Sequence, residues 1–164
     1  LTFETLRSLL ITEFEIEAVG DDDNAGRDAW ELIEADGGQN VLGFGTVADG
    51  RWLLARLRGT ATMDRLVPQH SSAWRGLGVS ILHELVLGEI LGRQFANGPS
   101  FGYVHLIDEV LESTRSKRCD LACLVPPATM EHVQQIAATG ERMPAKSTYF
   151  YPKLLTGLVF NPIA

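Results

Sequence analysis

The stretch 72–91 constrains this chain most, because its apolar side chains leave no wide polar face. At helical spacing Trp74, Leu77, Ile81 and Leu85 fall on one side, and Val79, Leu82, Val86 and Ile90 on another. A helix that is apolar all round is buried, so the fold must be built around it. Ser71 or Ser72 supplies an N-cap, and Gly92 suits the position just past the C-terminus. The pattern predicts one long central helix from Ser72 to Leu91. Its most apolar run, Leu85-Val86-Leu87-Gly88, is bounded by Glu84 and Glu89, and nothing in the chain approaches the ~20 apolar residues that span a bilayer.

Something must cover that helix, and the preceding sequence predicts a sheet. Val41 to Val47 and Arg51 to Arg58 are apolar arms around Ala48-Asp49-Gly50, a strong hairpin signal. Gly43 and Gly45 inside the first arm match no phosphate-binding loop, since no helix follows. They predict a strand that a neighbouring side chain covers closely. Upstream, Phe3, Leu6, Leu9 and Leu10 predict a helix, and the alternation of Phe14, Ile16 and Ala18 with glutamates predicts a half-exposed strand. An acidic turn, Asp21-Asp22-Asp23, lacks the spaced ligands of a calcium loop and reads as solvated; a short amphipathic helix, Ala25 to Ala35, follows it. Residues 58–68 read as irregular or as one short turn.

Downstream, Phe101 to Ile107 reads as a strand, Asp108 to Arg115 as a helix, and Asp120 to Val125 as a strand apolar on both faces. Thr129 caps a last helix with Met130, Val133 and Ala137 inward, and Gly140 stops it. The expected class is α+β: a mixed β-sheet including a hairpin, packed on the long central helix and shorter helices. A chain of 164 residues buries roughly 70% of its unfolded surface, enough for one domain. Because residue 1 is a leucine, residues 1–164 are expected to be a domain cut from a longer protein. The chain opens on neither a basic region nor an apolar signal core.

A net charge of −7 repels nucleic-acid phosphates unless cations gather on one face. The two small groups, Arg51-Arg56-Arg58 and Arg115-Lys117-Arg118, read as solvated strand ends and a helix C-terminus, so no nucleic-acid binding by this domain alone is expected. Cys119 and Cys123, four apart in a predicted strand, would lie about 13 Å apart, too far to bridge. They read as core thiols of a reducing cytoplasm, with no membrane association.

Most familiar chemistry is missing. His83-Glu84 begins like a zinc-protease motif, but Leu87 stands where the second histidine belongs. His105 and His132 stand alone, no metal site is expected, and the sequence identifies no cofactor. The tail is different. Residues 140–154 pack Arg142, Lys146, Ser147, Thr148, Tyr149, Phe150, Tyr151 and Lys153 between stiffening prolines. Such a strip can offer cationic and hydroxyl donors to an anion while aromatic faces hold a planar group. Alternatively, the three aromatics plug the core and both lysines point to water; on residue types alone both readings stay open.

The run Gly140-Glu-Arg-Met-Pro-Ala-Lys-Ser-Thr-Tyr-Phe-Tyr-Pro-Lys-Leu, followed by Thr156-Gly157-Leu158, resembles the C-terminal signature of a bacterial and archaeal domain-of-unknown-function family, number ten-fifteen, often labelled SpoOJ/ParA/ParB/RepB family protein. Fainter similarity extends through Leu121 to Thr129, the Leu82-to-Gly92 helix and the Gly43-to-Leu57 hairpin. Ala145 departs from the family's usual second proline before the lysine, and loop 93–100 departs from its charge pattern. The resemblance implies a ParB- and sulfiredoxin-like N-terminal half bearing an Asp-Gly-His-His-Arg motif, which this chain lacks. It implies that the reacting groups lie in that half, the domain's expected partner. The tail would then add Arg142, Lys146, Ser147, Thr148, Tyr149, Tyr151 and Lys153 as a strip for an anionic small molecule, in a nucleotide- or phosphate-handling, phosphotransferase-like protein. The competing expectation is a non-catalytic interaction or assembly module.

Overall fold

The computed structural model describes residues 1–93 and 100–148. Among these, helices α1 (Phe3–Leu10), α2 (Ala25–Asp36), α3 (Ala61–Leu66), α4 (Ser72–Arg75), α5 (78–90), α6 (Ile107–Arg115) and α7 (Met130–Ala138) surround strands β1 (Phe14–Gly20), β2 (Val41–Thr46), β3 (Arg51–Leu57) and β4 (Leu121–Leu124). The α+β class holds. The strand order is β1-β3-β2-β4, and all pairings are antiparallel, where the sequence suggested a mixed sheet.

Period-two alternation sorts the hairpin's side chains onto two faces. Leu42, Phe44, Leu53, Ala55 and Leu57 join Phe14, Leu6 and Leu10 with Met63, Trp74, Ile81, Leu85 and Ile136 in one core. Val41, Trp52 and Leu54 join Ala29, Ile33, Leu111 and Leu124 in a second core on the opposite face. Every residue of β2 is therefore buried. The two strand glycines make room for this second core. A Cβ on Gly45 would lie 2.6 Å from the Trp52 ring, and one on Gly43 would lie 3.0 Å from Ile33. The hairpin turn is held by Asp49, which accepts from the Thr46 hydroxyl at 2.5 Å and from the Phe3 amide at 2.9 Å, tying α1 to the sheet. Burial pushes the Asp49 carboxyl up, but those two donors, with its own amide and the nearby Arg51 charge, together outweigh it and its pKa lies below the ordinary value.

The long helix is central but not continuous. Leu77 takes an extended ψ of 139°, separating α4 from α5. The break has a packing cause: a Cβ on Gly78 would meet Gln39 and Pro126 at 3.0 Å, and Gln39 itself accepts from the Gly78 amide at 3.0 Å and donates to the Pro127 carbonyl at 2.9 Å. Beyond Ser80 the helix is wound with i→i+5 bonds over Ile81–Ile90, closed by the Leu91 amide on the Val86 carbonyl at 2.8 Å. π-Winding of this length is rare. Ile81, Leu82, Leu85, Val86 and Leu87 are buried there.

Three other expectations are corrected. Phe101 to Leu106 is not a strand; it is irregular and largely exposed, because the His105 and Leu106 amides are spent on the Glu109 carboxylate that caps α6. Strand β4 begins only at Leu121, leaving Cys119 outside it. Helix α7 turns Ile136 inward and leaves Met130 exposed in its first turn, while the expected Thr129 cap is present and the His132 ring is used in it. No helix of the described residues is long and apolar enough to cross a membrane.

Candidate functional site

Helix α7 ends where the tail strip begins. Gly140, at φ 75°, makes the left-handed turn, and the Glu141 amide returns to the Ile136 carbonyl at 3.3 Å. The Glu141 side chain then closes on the start of α4. Its carboxylate accepts from the Ser71 amide at 3.0 Å and from the Thr139 hydroxyl at 3.1 Å, and meets His70 Nδ1 at 3.1 Å. Hydrogen bonding from Ser71, reinforced by His70 and Thr139, lowers its pKa from 4.5 to about 2. The His70 ring is stacked on Trp74 with centroids 3.8 Å apart. This clasp fixes the direction in which the strip leaves the domain.

Met143 packs against the first core, so the strip follows the surface rather than leaving it. A tight turn follows: the Ser147 hydroxyl donates to the Pro144 carbonyl at 2.6 Å, and Lys146 takes a left-handed φ of 61°. That conformation costs an L-residue roughly 1–2 kcal/mol. The turn carries Lys146 Nζ over the Tyr103 ring, 5.8 Å from its centroid. Tyr103 belongs to the irregular segment after α5. Its ring lies 6.5 Å from Phe101 and 6.4 Å from the His83 imidazole of α5, and His83 lies 5.7 Å from Phe101. Lys146, Tyr103, Phe101 and His83 thus share one surface, with Tyr103 51% and Phe101 47% exposed.

Of the residues expected to form the strip, Lys146 joins this cluster and Ser147 adjoins it through the turn. Arg142 and Thr148 are exposed on the same segment. Tyr149, Tyr151 and Lys153 lie outside the described residues. His83, Phe101 and Tyr103 carry no site signal in the sequence: the first stands in an incomplete zinc motif, and the others alternate as a strand would. Only the fold brings segments this far apart together.

The arginines of the hairpin are committed to carboxylates. Arg51 meets Glu4 at 3.1 Å, Arg56 meets Asp36 at 2.6 Å and Arg58 meets Glu15 at 3.3 Å. The hydrogen bond from Arg56 holds Asp36 below the ordinary carboxylate range. A cleft of about 400 Å³ is lined by Arg7, Arg56, Arg58, Glu15 and Glu17, three cations against two carboxylates, but each arginine already pairs with a carboxylate: Glu4, Asp36 and Glu15 respectively. Burial pushes the Cys123 thiol up to about 12, an inert form. Among the described residues no group of three or more histidine, cysteine, aspartate or glutamate side chains comes together as a metal site. Comparison with family models, with curated proteins and with solved structures finds no match to this chain.

Proposed function

We propose that the chain is the C-terminal portion of a ten-fifteen family protein, and that its tail supplies the anion-binding part of a nucleotide- or phosphate-handling site. The reacting groups would come from the N-terminal half, giving a cytoplasmic, phosphotransferase-like whole in which this domain alone does not turn over substrate. The family part of this reading rests on the tail sequence. The functional part rests on Lys146. Among the described residues no carboxylate pairs with it, unlike Arg51, Arg56 and Arg58, and it stands in a left-handed turn directly before Ser147 and Thr148 in the chain. A lysine ammonium binds phosphate through charge-assisted hydrogen bonds, and the Thr148 hydroxyl is a further donor on the same segment.

Titration calorimetry of the full-length protein with inorganic phosphate tests this. Lys146→Ala is expected to weaken binding more than tenfold, from a contact worth roughly 1.5–3 kcal/mol, while leaving the melting temperature unchanged. Equal affinity of variant and wild type would end the reading. One observation favours an assembly module instead: Phe101, Tyr103, Val104 and Leu106 form a short run of exposed apolar residues, Leu106 being 63% exposed. Concentration-dependent association abolished by Leu106→Asp and untouched by Lys146→Ala would identify that alternative.

A further inference from the structure

Building on the anion-binding reading, we propose that the ligand of the Lys146 surface carries a planar aromatic ring as well as its anionic group, and that Tyr103, Phe101 and His83 hold the ring. The three rings come from two separate segments and converge loosely, His83 nearly parallel to Tyr103 and edge-on to Phe101. Two of their centroid separations, 6.4 and 6.5 Å, lie in the outer half of the range for interacting rings, about 4.5–7 Å, and the third, 5.7 Å, at its middle. A plug of the core would be buried; Tyr103 and Phe101 remain half exposed.

Position adds to the argument. Lys146 Nζ lies over the Tyr103 ring, near the limit of about 6 Å for a cation held by a ring face. A loosely held ammonium can turn to an anion without losing a strong partner. A ring laid against Tyr103 or Phe101 would therefore have its anionic substituent within reach of the lysine. His83 is held from below: it projects from the π-wound part of α5, whose neighbouring residues Leu82 and Leu85 are buried. The imidazole is thus fixed in the domain, while Tyr103 and Phe101 stand on an irregular segment that can adjust to a ring.

The test uses full-length protein and three probes: phenyl phosphate, adenosine monophosphate and inorganic phosphate. At least one ring-bearing probe is expected to bind roughly fivefold or more tightly than inorganic phosphate. Tyr103→Ala should remove that advantage without changing affinity for inorganic phosphate, and Tyr103→Phe should restore it. A preference for adenosine monophosphate over phenyl phosphate would identify the ring as a nucleobase; equal binding would identify a simpler aromatic phosphate. If all three probes bind alike but depend on Lys146, the ring proposal is overturned while the anion site stands. If none depends on Lys146, both fall together.

Discussion

Glu141 shows how one residue can hold an otherwise irregular segment in place. Its carboxylate gathers donors from Ser71, His70 and Thr139, so the strip begins from a fixed point rather than from a loose helix end. Because the folded-state pKa is depressed from 4.5 to about 2, the ionised form is the one that folding favours. The stability it contributes is present above about pH 4.5 and is lost as the pH falls towards about 2. Glu141→Gln should lower the melting temperature near neutral pH and flatten its decline across that acid window. Wild type and variant should converge below about pH 2, and Asp36 and Asp49, also depressed, should retain their share of the acid dependence. Melting curves from pH 7 to about pH 2 check this; parallel declines for the two proteins would show that the carboxylate's ionisation does not matter. Nothing in Gly140-Glu141 announces the clasp in the sequence, because His70 and Ser71 lie about seventy positions upstream.

At the scale of elements, β2 was the most legible part of the chain, and its glycines show why. A strand with glycines at 43 and 45 between β-forming apolar residues requires large neighbours, and Trp52 and Ile33 are those neighbours. Gly45→Ala should cost roughly 1–3 kcal/mol, since the Trp52 ring is buried and cannot swing aside. Urea denaturation measures it, and a neutral result would mean that the ring has room the packing denies it. The hairpin, α1, α2, α6 and the Thr129 cap were also legible, because local periodicity and turn chemistry decide them. Of two failures, the first came from a tertiary demand that no local pattern encodes, and the second from a helix cap made only three and four residues along the chain. The close approach of Gly78 to Pro126 and Gln39 breaks the long helix, and capping by Glu109 takes the amides that a strand at 101–107 would need. The candidate site inherits this second failure: alternating Phe101, Tyr103 and His105 imitate a strand, and the cluster with Lys146 exists because they do not form one.

At the scale of the whole molecule, the two cores share the sheet, and neither helical layer can bury its apolar face without it. Trp74 reports on the first core, while Trp52, with Trp30 packed against it, reports on the second. A fully buried β2 is the element that couples them, since losing it exposes both cores at once. The two layers should therefore melt together. In a variant keeping only Trp74, and in another keeping only Trp52, fluorescence and far-ultraviolet circular dichroism should give coincident transitions, even if the substitutions shift both midpoints. Comparing two probes within each variant removes the effect of the substitutions on stability. A separation of more than about 5 °C between fluorescence and dichroism in either variant would show one layer unfolding while the other persists. In that case α2 and α6 would be an independently stable layer, and the rigid support assumed beneath His83 would be limited to the helices of the first core.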